Sequence, residues 1–108
     1  MFDLKKVLIG VSILLILIAF GFGYVKYKKY NVENAVLNYL ITEESIPKEK
    51  IHTEPFIANM PGNENWMVKV EIEGDSKTYS YYLNKEGKIV LDSYIEDGDV
   101  TIIDKVMN

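Results

Sequence analysis

From Val7 to Val25 the chain reads VLIGVSILLILIAFGFGYV, nineteen residues without a charged side chain. Lys5 and Lys6 precede the run, and Lys26, Lys28 and Lys29 follow it. At helical rise it is ~28 Å long, close to the hydrocarbon thickness of a bilayer. Thirteen of the nineteen are Leu, Ile, Val or Phe, each favouring insertion by roughly 0.3–0.6 kcal/mol near the bilayer centre. Ser12 is the only polar side chain, and a helix carbonyl can take its proton. Tyr24, Tyr27 and Tyr30 alternate with the lysines that follow. Such interleaving is the pattern of a headgroup boundary, with aromatic belts and snorkelling lysines.

The run therefore predicts a transmembrane helix over 7–25. It lies between a short tail at 1–6 and a juxtamembrane Tyr/Lys segment at 26–30. A cleaved signal sequence is the rival reading, with Ala19-Phe20-Gly21 as a small-x-small site, and it leaves a secreted domain. A lipoprotein is excluded because the chain has no Cys. A buried core helix would need partner helices that the sequence does not provide. The expected orientation puts the N-terminus in the cytoplasm and the C-terminal domain outside, at the cell membrane. The lysine counts on the two sides discriminate weakly.

Charge divides the chain. The first thirty residues hold five Lys and Asp3, a net of +4. The other seventy-eight hold seven Lys against fifteen Asp and Glu, a net of −8, and there is no Arg. Such a domain repels polyanions and lacks the guanidinium fork that reads phosphate and guanine, so nucleic acid is not an expected partner. The absence of Cys also removes disulfides, thiolate metal sites and Cys nucleophiles.

After Val32 the pattern turns amphipathic. Val32, Ala35, Val36, Tyr39 and Leu40 fall at i, i+3, i+4, i+7 and i+8, which predicts a helix from Asn31 to about Glu43, separate from the span or continuous with it. Pro47 closes it. Strands are expected over 51–60, 66–73, 78–84, 89–95 and 100–103, with the first at an edge because Pro55 lacks a donor. Trp66, Val68, Val70 and Ile72 alternate with Lys69, Glu71 and Glu73, the mark of a strand with one wet face. Gly74-Asp75-Ser76, Lys85-Glu86-Gly87-Lys88 and Asp97-Gly98 supply turns, the last of type I′. The expected fold is α+β: one amphipathic helix packed on a small antiparallel meander over 31–104, then a tail at 105–108.

The side chains offer little chemistry. His52 and Glu54 form H-x-E on one strand face, too few ligands for a metal. Glu96-Asp97-Gly98-Asp99 lacks the alternating oxygens of a calcium loop and reads as a turn. Glu71 and Glu73 share a face that should be solvated, with no reason for a displaced pKa. Ser76, Ser80 and Ser93 have no nucleophile-elbow context. No catalytic, metal or cofactor-binding residue is assigned, no cofactor is expected, and the chain reads as a non-enzyme. Trp66, Tyr79, Tyr81, Tyr82 and Tyr94 offer either core packing or an aromatic peptide-binding surface. Ala19 and Gly23 form a small-x-x-x-small pair able to bring two helices together.

The segments KKVLIGVSILLILIAFGFGYVKYKKY, ENAVLNYL and IPKEKI, ahead of a Tyr-rich hairpin region, resemble an uncharacterised family of short single-span Gram-positive membrane proteins. That resemblance implies location and architecture only. The segment TYSYYLNKEGKIVLD, following a helix, is similar to the ending of a PepSY domain, the module of peptidase propeptides and bacterial surface proteins. The resemblance runs from about Glu33 to Asp92, and the Pro55 segment departs from it. It implies a non-catalytic module that binds or restrains a peptidase, a surface protein or a peptide. The acidic domain also allows an immunity or stress-defence role, in which cationic peptides are captured at the bilayer.

Overall fold

The computed structural model describes residues 3–107. One helix, α1, runs unbroken over Leu4–Thr42, about 58 Å at helical rise. It begins inside the segment read as a tail, with Asp3 as N-cap accepting the Lys5 N–H at 3.1 Å. It also passes through the Tyr/Lys segment without a break, because no Pro or Gly stands between Tyr24 and Thr42. Its first half has no buried residue and is long and apolar enough to cross a membrane. Ser12 donates to the Leu8 carbonyl at 2.8 Å, which removes the one polar group from that surface. The helix ends at Thr42, before Pro47, where Ser45 turns the chain at φ 55°.

Five strands follow: β1 Ile51–Ile57, β2 Trp66–Ile72, β3 Thr78–Leu83, β4 Ile89–Glu96 and β5 Asp99–Val106. They form one antiparallel sheet in the order β1-β2-β3-β4-β5, so the fold is α+β. Pro55 sits in β1, an edge strand, where its missing donor is harmless. Short 3-10 turns occupy Lys48–Lys50 and Gly62–Asn65. β1 stops at Ile57, three residues short of the expected Met60, because Asn59 at φ 57° takes the chain out of the ladder. β5 is longer than expected. It reaches Val106, inside the segment read as a tail, because Val106 pairs with Val90 beyond a bulge.

The second half of α1 lies on one sheet face. Val32, Val36, Tyr39 and Leu40 meet Ile51, Val68, Val70, Tyr81, Ile89 and Leu91 in the main core. Val36, Val68 and Val70 are fully buried and Leu40 nearly so. Completely burying a side chain of this kind contributes roughly 1.5–3 kcal/mol, so this contact holds the small domain together. One polar link ties the same surfaces: the Thr53 hydroxyl donates to Glu33 at 3.0 Å.

Candidate interaction surface

The sheet face turned away from α1 is built from three cross-strand rows. Register places Phe56, Met67, Tyr82, Val90 and Val106 in the first row. The second holds Glu54, Lys69, Ser80, Ser93 and Ile102, and the third His52, Glu71, Thr78, Ile95 and Val100. The face is therefore graded. At β1 and β2 it is charged, where Lys69 reaches Glu54 at 3.5 Å and Glu71 at 3.7 Å. In the middle Met67, Tyr82 and Val90 form a second small core, with Phe56 and Ala58 against it. At β4 and β5 it is apolar and open: Ile95, Val100, Ile102 and Val106 all stand exposed, Val100 at 60% and Ile102 at 69%.

Every residue of β5 is exposed. Only its inner side is paired, so its outer N–H and C=O groups form an open sheet edge. The opposite edge is blunted by Pro55 and by the charged Glu54. From Asp92 to Val106 the chain carries five carboxylates and a single lysine, Lys105. The type I′ geometry expected at Asp97-Gly98 is present, with φ of 51° and 81°, and it directs β5 back along β4.

The tyrosines do not make an exposed cluster. Tyr81 and Tyr82 are buried on opposite faces. Tyr79 packs at the main core, its ring centroid 6.2 Å from those of both Tyr81 and Tyr94. Lys77 sits over the Tyr94 ring at 4.5 Å. The hydroxyls find carboxylates: Tyr39 donates to Glu44 and Tyr79 to Asp75, both at 2.7 Å. Tyr82 makes longer contacts with Glu64 at 3.4 Å and Asp104 at 3.5 Å. Burial, then these acceptors, pushes the Tyr39 and Tyr79 hydroxyls well above the ordinary tyrosine value. Burial, then the charges of Glu44 and Asp75, pushes Tyr81 up to about 12. Tyr82 is likewise pushed up to about 12, by burial and then by Glu64 and Asp104. The Tyr79 hydroxyl, with the Lys77 N–H, holds Asp75 below the usual carboxylate range. At neutral pH these tyrosines are therefore protonated.

His52 lies opposite Glu71, and Glu54 opposite Lys69, on the graded face. No group of three His, Cys, Asp or Glu side chains positioned for a metal exists among the described residues. Glu71 is engaged by Lys69, and Glu73 lies just past the end of β2, where its N–H donates to the Lys50 carbonyl at 2.9 Å. Ser76 donates to Glu96 at 2.6 Å and Ser93 to Asp92 at 3.1 Å, neither beside a histidine. The open β5 edge is the feature that sequence reasoning missed. The alternation Val100-Thr101-Ile102 marks a short strand over 100–103, but Asp104 and Lys105 hid its continuation to Val106 and so the length of the edge.

Comparison of the chain with protein-family models, with curated proteins and with solved structures returns no match.

Proposed function

We propose that this chain is a single-pass, membrane-anchored and non-catalytic binding module. Its apolar helix crosses the cell membrane with the N-terminus in the cytoplasm. The amphipathic second half of the helix, packed on an antiparallel meander, holds the C-terminal domain outside. The domain acts by contact, adding an extended cationic segment of a surface protein, peptidase or peptide to β5. The observation that carries this reading is the eight-residue edge strand with every side chain exposed and no carrier of positive charge but Lys105. Strand addition supplies main-chain hydrogen bonds, and alternate side chains supply specificity. The likeness to PepSY modules points the same way.

A second copy of the chain is a poorer occupant. Two antiparallel edge strands in one continuous sheet are related by a two-fold axis normal to that sheet. Because α1 lies along a sheet face, that axis reverses the second helix, and two anchors in one bilayer cannot run in opposite senses. The carboxylates around β5 would also face their own copies.

The test uses the full chain in detergent and two labelled peptides, one alternating Val with Lys and one alternating Val with Glu. The Val/Lys peptide should bind, lose affinity as salt rises, and bind poorly to Ile102→Lys. Equal binding of both peptides, or no effect of Ile102→Lys, would overturn the reading. Protection of cells against free cationic peptides, with no protein partner recovered, would select the defence role within it.

A further inference from the structure

The sheet has two unlike ends. Its two far hairpin turns carry Glu73, Asp75, Glu96, Asp97 and Asp99 with only Lys77 among them, and the 3-10 turn ahead of β1 adds Lys48, Glu49 and Lys50. Its near end, beside the middle of α1, holds a cavity of about 190 Å³. Lys28 and Asn31 line it from the helix, Asn63 from the 3-10 turn Gly62–Asn65, Trp66 from the start of β2, and Asn84 and Lys85 from the β3–β4 turn. No carboxylate lines this cavity among the described residues, although the domain carries fifteen.

The donors there are available. Lys85 has no carboxylate partner among the described residues, and Lys28 meets only the Tyr24 ring, at 5.6 Å. The Asn84 carbonyl accepts the Glu86 and Lys88 N–H groups at 3.0 and 2.9 Å. That fixes its amide orientation and leaves its NH₂ as the free end. Two ammonium groups and an array of side-chain amides around a small space form an anion site.

Height selects the anion. Lys28 and Asn31 stand ~4.5 and ~9 Å along the helix axis beyond Val25, the last residue of the apolar run. The headgroup layer on each side of a bilayer is roughly 5–8 Å thick. Lys28 therefore stands within the headgroup layer and Asn31 at its outer edge, so the cavity faces the headgroups. Trp66 packs edge-on against Tyr24, with centroids 6.1 Å apart, which sets an aromatic pair at the same boundary. The space is smaller than the roughly 300–1,000 Å³ that encloses a drug-sized ligand, which suits a phosphate ester with its glycerol.

We infer that this cavity binds the phosphate of an anionic phospholipid headgroup and so fixes the outer domain on the membrane surface. The inference rests on the proposed membrane span.

Trp66 is the only tryptophan of the chain and lines the site, so it reports occupancy. The full chain is placed in nanodiscs of phosphatidylcholine with a rising fraction of phosphatidylglycerol. Trp66 emission should change saturably with that fraction. Lys28→Gln and Lys85→Gln should each weaken the apparent affinity about fivefold, while Lys48→Gln, at the far end of β1, should not. An equal response in the wild type and the Lys28/Lys85 double variant would overturn the site, leaving general surface charge as the cause. The same emission change on adding inorganic phosphate to pure phosphatidylcholine discs would assign the site to free phosphate and overturn the lipid. A chain that stays in the discs with an unresponsive Trp66 refutes the site alone. A chain that elutes apart from the discs refutes the span, and the site with it.

Discussion

Alkaline pH should unfold this protein through its tyrosines. Tyr81 and Tyr82 are each held at about 12 in the folded chain, against about 10 in an unfolded one. A raised folded value means that the neutral form is the one the fold prefers. The stability this contributes is complete below about pH 10 and is lost as pH climbs through the folded values. At pH 11 the unfolded state has gained about 1.4 kcal/mol for each of the two, one pH unit above its own value. Tyr39 and Tyr79 add to this in the same direction. A domain of this size is stable by roughly 4–11 kcal/mol; four such residues remove about 6 kcal/mol at pH 11, enough to unfold a domain in the lower part of that range, and bring one in the upper part close to unfolding by about pH 12. The assay follows phenolate absorbance and far-ultraviolet circular dichroism together during a pH titration. A late, cooperative rise in phenolate coincident with loss of sheet signal is the expected result, and Tyr81→Phe should move its midpoint upward wherever the substitution itself costs less than it spares. Phenolate forming in one step near pH 10 while the sheet signal persists would refute the reasoning.

Two further outcomes follow from the same geometry. Leu40→Ala should cost about 3–5 kcal/mol, because Leu40 is 1% exposed between α1 and the sheet; thermal melting in detergent should show the domain lost while the helical signal of the apolar half remains. Ser76→Cys places a thiol at an exposed turn and breaks only the hydroxyl contact with Glu96. With no native Cys, an impermeant maleimide on intact cells should label it at full length if the domain is outside, and a shortened labelled band would mean cleavage.

Periodicity made the core legible. The alternation of Trp66, Val68, Val70 and Ile72 put these residues against the helix because a pleated strand sends alternate side chains to one face. The same logic hid Met67. It stands among side chains read as wet, yet it is 4% exposed because Tyr82 and Val90 cover it from neighbouring strands. Cross-strand coverage depends on register, which a single strand does not announce. The end of β5 was hidden for a related reason, since its pairing with Val90 passes over a bulge that no local pattern marks. Nor was the cavity at the near end of the sheet readable: Lys28, Asn63 and Lys85 are far apart in sequence and meet only through the fold.

The unbroken passage of α1 from its apolar half into the core makes it a drive shaft with the sheet keyed to it. At 3.6 residues per turn, one residue added or removed between Tyr24 and Asn31 turns the whole sheet by about 100° about the helix axis. Such an indel would break the Tyr24–Trp66 ring contact, yet it would keep the core that Val32, Val36, Tyr39 and Leu40 make with the sheet and aim the open edge of β5 in another direction. The length of that short segment is thus an angular setting, and natural or engineered change there alters what the domain faces before it alters how well it folds.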